Sequence, residues 1–228
     1  MYAGTSDTAG MRTLHVETVI HGRVLIEDAA VPVSRGWLIG FHGYGQAADD
    51  MLAELRRLNA GGAWSVAAPQ ALHRFYTRGD ERVVASWMTR QDRELAVADN
   101  VEYVRRLLES LSPPASCAIV FAGFSQGAAM AYRAAALGSR PAAAVIALAG
   151  DMPPEVTTLD AGRLRRQLGR VVIGAGARDA WFTPAKVDAD AAVLAAAGVP
   201  LDVVRFDGAH EWTDDFRRAA SAMLAELT

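Results

Sequence analysis

At 228 residues, 51% of them hydrophobic, the chain can bury one substantial core but is short for two independent domains, so a single domain over residues 1–228 is expected. Its 26 acidic and 23 basic side chains are interspersed and give a formal net charge of −3, which excludes the broad basic face needed to hold nucleic acid or an anionic membrane surface. The single cysteine, Cys117, excludes an internal disulfide, and the chain has no H-E-x-x-H or clustered Cys/His spacing for a metal and no Walker loop for a phosphate.

Met1 to Met11 is small and polar, without the basic start and apolar run of a secretory signal, so a cytoplasmic protein is expected. Leu14 to Val19 and Arg23 to Glu27 alternate partially around His21-Gly22, which predicts an N-terminal hairpin or two edge strands. From Gly36 the pattern is regular. Apolar runs Trp37–Phe41, Trp64–Ala68, Ser116–Ala122, Ala143–Ala149, Val171–Ala175 and Leu201–Phe206 read as strands. Between and after them, Ala48–Leu58, Arg93–Leu111, Gln126–Leu137, Leu164–Leu168, Pro184–Ala197 and Thr213–Leu227 read as helices. Strands that alternate with helices call for a parallel sheet covered on both faces, and the continuous apolar character of the inner runs agrees with strands buried on both sides. Cys117 falls inside one of these strands and is expected to be a buried, inert thiol. The longest apolar stretch, Ala142 to Gly150, is roughly half the length of a membrane span and ends at Asp151, so it reads as a buried strand.

The run Ala122-Gly123-Phe124-Ser125-Gln126-Gly127 carries G-x-S-x-G between a predicted strand and a predicted helix, the setting of a nucleophile elbow. Glycines two residues either side of the serine make room for a strained turn that exposes its hydroxyl. Serine needs a base to take its proton, and where the order is serine, acid, histidine, only His210 of the five histidines follows Ser125. The acid must lie between them. Asp179 directly follows the penultimate strand, Asp151 follows the strand before it, and Asp207 is too near His210 in sequence to reach its far nitrogen easily. Attack on an acyl carbon also requires two N–H donors for the oxyanion. Gln126, after the nucleophile, offers one, and Tyr44 in Phe41-His42-Gly43-Tyr44-Gly45-Gln46 offers the other. His42, before the serine and at a strand end, reads as a structural hydrogen-bonding group.

These segments, with Gly176-Ala177-Arg178-Asp179, Pro184 and Gly208-Ala209-His210, resemble the phospholipase/carboxylesterase group of α/β-hydrolases, which includes the acyl-protein thioesterases. The resemblance runs over nearly the whole chain from Trp37 onward. It implies an α/β-hydrolase fold with a mostly parallel central sheet flanked by helices on both faces. It also implies a Ser125, Asp179, His210 triad and an oxyanion hole of the Tyr44 and Gln126 N–H groups. The chain departs from the group at Gln46, where members often carry aspartate, and at Ser86-Trp87-Met88-Thr89, where they show Trp-Phe-Asp or Trp-Tyr-Asp.

Only Asp151 to Gly169 separates two predicted strands beyond the elbow, too little for a large cap. The connection Gln70 to Gln91 is expected to be a loop over the strand ends, with Phe75, Tyr76, Trp87 and Met88 as acyl-pocket wall and Arg74, Arg78 and Arg82 at its rim. Trp181, two residues beyond Asp179, is a second wall candidate. The expected protein is therefore a cofactor-free serine carboxylesterase acting on a small-molecule ester of short to medium acyl length, with no nucleic-acid partner and no membrane span. Thioesterase and lysophospholipase activities differ only in the leaving group, a non-catalytic binding module is the alternative of another class, and a homodimer is left open.

Overall fold

The computed structural model describes residues 11–227, so all but the last residue of Met1–Met11 lies outside it. Its strands are β1 (Val24–Glu27), β2 (Gly36–Phe41), β3 (Ser65–Pro69), β4 (His73–Tyr76), β5 (Val83–Ser86), β6 (Ala118–Phe124), β7 (Ala144–Leu148), β8 (Arg170–Gly176) and β9 (Leu201–Phe206). Its helices are α1 (Ala48–Leu58), α2 (Arg93–Leu111), α3 (Gln126–Leu137), α4 (Pro154–Thr157), α5 (Ala161–Leu168), α6 (Pro184–Ala196) and α7 (Asp214–Glu226).

Seven strands form the main sheet in the order β1-β3-β2-β6-β7-β8-β9, with β1 antiparallel to β3 and every other pairing parallel. From β2 the chain winds outward through β3, then returns to β6 on the other side of β2 and winds the opposite way to β9. The point of reversal therefore lies between β2 and β6, and the crevice beyond their carboxyl ends is where an open α/β sheet binds ligands. Phe41 pairs with Gly123 in that register, so the loop after β2 and the turn after β6 emerge side by side.

Alternation along each strand divides the core. Ile39, Phe41, Ile119, Phe121, Val145 and Ile173 face a layer that includes Val104 and Leu107 of α2, Met130 of α3, Leu164 of α5 and Val187 of α6. Leu38, Val120, Ile146 and Val172 face Met51 and Leu55 of α1 and Phe216 and Met223 of α7. Helices thus cover both faces, which is the α/β-hydrolase architecture, and α4 and α5 between β7 and β8 make no large cap. Helix α3 is buried from Ala134 to Ala136 as well as along its first turns, and its small side chains let it approach the sheet closely. No helix among the described residues is long and apolar enough to cross a membrane.

Three expectations are corrected. Leu14–Val19 forms neither hairpin nor edge strand: residues 11–23 are exposed and without regular structure, and β1 alone joins the sheet, against β3. The alternation of Leu14, Val16 and Val19 has no apolar surface to cover, and these side chains remain 82%, 74% and 82% exposed. Gln70–Gln91 is not simply a loop, because β4 and β5 pair within it as an antiparallel hairpin that buries Val84 and Ala85. Cys117 is only half-buried and precedes β6, at the end of that strand remote from Ser125.

Candidate active site

Ser125 stands between β6 and α3 with φ 54° and ψ −120°, a left-handed conformation that costs a non-glycine residue on the order of 1–3 kcal/mol. The surrounding backbone imposes it. The Ser125 N–H donates to Leu148 O at 2.8 Å and Ser125 O accepts from Ala128 N–H at 2.9 Å. A Cβ on Gly123 would lie 2.1 Å from Gly127 O, and one on Gly127 would lie 2.0 Å from Phe41 O, so both glycines are required by close approach.

His210, in the turn after β9, is brought to this serine, its Nε2 2.7 Å from Ser125 Oγ. Its Nδ1 lies 2.8 Å from Oδ2 of Asp179, which follows β8. Because an ionised carboxylate only accepts, Nδ1 carries the proton and Nε2 is left to accept the serine hydroxyl hydrogen. The side chain of Asp179 is fully buried, and its other oxygen accepts from Trp181 N–H at 2.8 Å and Phe182 N–H at 3.0 Å. Burial is the largest single influence on this carboxyl and opposes ionisation, but the two N–H groups together with His210 outweigh it and hold the pKa below the ordinary carboxylate value.

The other acids are spent elsewhere. Asp151 is exposed, 3.5 Å from Lys186, and Asp207 is an exposed partner of Arg178. The Trp181 and Phe182 donors escaped sequence reasoning, although an aspartate bonding to N–H groups two and three residues on is a recurrent turn and its signal was present.

On the other side of the serine, the loop after β2 leaves one amide free. Gly43 N–H donates to Gln46 Oε1 at 2.7 Å and Gly45 N–H donates to Ala85 O at 3.0 Å, whereas Tyr44 N–H, between them, donates to no acceptor among the described residues. The N–H of Gln126 is likewise free, at the first position of α3, where the helix presents unpaired donors and partial positive charge. Gly43 packs on Phe124, since a Cβ there would lie 3.0 Å from its ring, so the loop sits against the residue preceding Ser125.

His42 is fully buried, as a structural group should be. Its Nε2 accepts from Ala71 N–H at 3.1 Å, which leaves Nδ1–H to donate to Gly43 O at 2.7 Å. Burial pushes its pKa down, against a smaller opposing effect of the Gly43 carbonyl, in keeping with a neutral ring.

Of the expected pocket residues, Trp87 is a correction. It is 1% exposed, packs edge-on to Phe41 with ring centroids 5.3 Å apart, and donates Nε1–H to His42 O at 2.9 Å, so it braces the β2 loop from within and lines nothing. Its one polar atom is satisfied inside the core, which is what allows so large a side chain to be buried. Met88 is half-buried. Phe75, also half-buried, lies beneath the exposed ring of Tyr44, centroids 5.6 Å apart. Trp181 is 74% exposed beside the Asp179 turn, and Tyr76, 70% exposed, pairs with Val83 at the turn end of the hairpin, away from the end where Ser86 meets Gln126. The rim arginines are partly engaged: Arg74 donates to His21 O at 2.6 Å and Arg82 to Asp50 at 2.5 Å. Among the described residues no three His, Cys, Asp or Glu side chains gather as a metal ion would need.

The sheet, the turn at Ser125 and the order of strands define an α/β-hydrolase. More narrowly, the phospholipase/carboxylesterase family model matches residues 26–165, and the chain belongs to that family. The match includes Ser125, Gln126 and Tyr44 and stops before Asp179 and His210. No curated protein matches the sequence. Among solved structures, esterase PE8 is 21% identical with a TM-score of 0.69, over 92% of this chain and 100% of that one. The acyl-protein thioesterase 2 of Zea mays is 16% identical with a TM-score of 0.72, over 91% and 100%. A carboxylesterase from Mesorhizobium loti is 20% identical with a TM-score of 0.67, over 85% and 90%. At these identities the likeness carries the fold and no more.

Proposed function

We propose that the protein is a serine carboxylesterase, a single hydrolase domain that cleaves short- to medium-chain acyl esters through an acyl-enzyme. The observation that carries this reading is the unbroken relay Ser125 Oγ, His210 Nε2, His210 Nδ1, Asp179 Oδ2, with both contacts under 3 Å, the first at 2.7 Å and the second at 2.8 Å. Ser125 Oγ adds to the acyl carbon as its proton passes to His210 Nε2, and Asp179 stabilises the imidazolium so formed. The free N–H groups of Tyr44 and Gln126 receive the negative charge that collects on the carbonyl oxygen. His210 then protonates the departing alkoxide, and a water, deprotonated by the same nitrogen, releases the acid.

Substrate size is inferred from the surroundings. The exposed rings of Trp181, two residues beyond Asp179, and of Tyr44, which carries a proposed oxyanion donor and lies over Phe75, offer apolar surface in the segments that bear the proposed catalytic groups, which suits a modest acyl or alcohol group. The test is hydrolysis of p-nitrophenyl esters from acetate to palmitate, and of matched thioesters, by the wild type and Ser125→Ala. The reading expects turnover that peaks at short or medium chains and disappears in the variant. An optimum on thioesters or long chains moves the assignment within the family. A folded wild type that cleaves none of them returns the fold to a binding role.

A further inference from the structure

The two proposed oxyanion donors come from different segments, and β5 together with the two residues after it is bonded to both. Ala85 of β5 makes a two-bond bridge to the loop after β2: Ala85 N–H donates to Gln46 O at 2.9 Å and Ala85 O accepts from Gly45 N–H at 3.0 Å. The residues that follow bind the other segment. The Gln126 side chain accepts Trp87 N–H at 2.8 Å through Oε1 and donates Nε2–H to Met88 O at 2.8 Å, while the single hydroxyl hydrogen of Ser86, whose Oγ lies 3.2 Å from that Oε1, has Met88 O as its nearer acceptor at 2.7 Å. On the loop side, the Gln46 side chain takes up Gly43 N–H at 2.7 Å, which fixes the peptide next to the free Tyr44 N–H. Within Ala85–Met88 the chain is thus tied to both halves of the hole, in addition to the β2–β6 pairing beneath them.

We propose that β5 and the Trp87-Met88 step after it form a strut that sets the separation and aim of the Tyr44 and Gln126 N–H groups, and that Gln46 and Gln126 act through their side chains as its positioning residues. The proposal rests on the serine-hydrolase reading. Its physical basis is that a hole works only if its donors are already in place when charge develops, and that a misplacement of about 1 Å can cost on the order of 10²-fold in rate. Neither glutamine side chain needs to touch substrate. Each carries its effect through a neighbouring amide.

Gln46→Met and Gln126→Met keep side-chain length and remove these hydrogen bonds. Ester turnover, affinity for an alkyl trifluoromethyl ketone, whose adduct with the serine places an oxyanion in the hole, and thermal melting are measured on each, below its melting temperature. The expected result is a roughly 10- to 100-fold fall in kcat with a matching loss of ketone affinity, and KM within about twofold of wild type. Wild-type kcat in either variant, or a loss that falls on KM and leaves ketone affinity unchanged, overturns the strut. A wild type that neither turns over ester nor takes a fluorophosphonate label is a different failure, that of the hydrolase reading itself.

Discussion

Two strands approach Ser125 and are built on opposite lines. Strand β6 has seven residues, is paired in parallel on both sides, and is buried from Ile119 onward. Strand β5 has four, belongs to a two-stranded hairpin, and begins exposed at Val83. The first leads into Ser125, as β8 and β9 lead to Asp179 and His210. The second contributes none of these three side chains, yet with Trp87 and Met88 after it the hairpin bonds to both amide-bearing segments. The contrast separates two tasks: a rigid parallel sheet places the chemistry, while a peripheral element adjusts the geometry around it.

The comparison is tested most severely on the sheet side. Asp179→Asn keeps the shape of the side chain but disrupts the tautomer of His210, and should lower kcat by about 10³- to 10⁴-fold. Asp151→Asn, at an exposed site one strand earlier, should stay within about twofold. Steady-state kinetics on one ester decides between them, and equal losses would abolish the assignment of the acid to β8.

On the hairpin side, Trp87→Ala removes a buried ring and the donor to His42 O, and should cost about 3–5 kcal/mol of stability by urea unfolding. A loss under about 1 kcal/mol would mean that the hairpin is not braced through Trp87.

Asp190, on α6, is 5% exposed and accepts Met152 N–H at 2.8 Å in the loop after β7. Its pKa is pushed up to about 6, chiefly by burial, against the Met152 N–H and with help from the charge of Asp151. The folded state therefore holds this proton over a range where the unfolded carboxylate has released it. Its contribution is complete below about pH 4 and is lost as pH rises through 6, by up to roughly 3 kcal/mol. Asp190→Asn should unfold later than wild type at pH 7.5, and the gap should close toward pH 4.5. A gap that widens on acidification would reverse the sign. The smallest effect is expected at Trp181→Ala, where an exposed ring is lost: KM should rise a few-fold, by about 0.5–1 kcal/mol in apparent binding, with melting unchanged.

How far the sequence could be read follows the same division. Strands buried on both faces are continuous apolar runs, so β2, β3 and β6 to β8 were legible, and β9, at the sheet edge and partly exposed, was legible from Leu201, Val203, Val204 and Phe206 despite Asp202 and Arg205; with them came the positions of Ser125, Asp179 and His210 at strand ends. The glycines at 123 and 127 were legible because the turn admits nothing larger. The hairpin was not, since β4 and β5 are four residues each, too short to show a period, and the six residues between them carry no Asn-Gly or Asp-Gly turn pair. Trp87 misled for a related reason: an aromatic in a long connection can face a cleft or brace the core, and only the acceptor at His42 O distinguishes the two. The Gln126 side-chain bonds to Trp87 and Met88 had no sequence signal, because their partners lie about 40 residues away.

The central claim is that Ser125 is the nucleophile activated by His210. The most direct measurement is the intact mass, followed by peptide mapping, of wild type, Ser125→Ala and His210→Gln after treatment with a fluorophosphonate. One adduct per chain, located on Ser125, absent from Ser125→Ala and formed far more slowly in His210→Gln, is the expected result. An adduct on another residue, or labelling at the wild-type rate without His210, would contradict it.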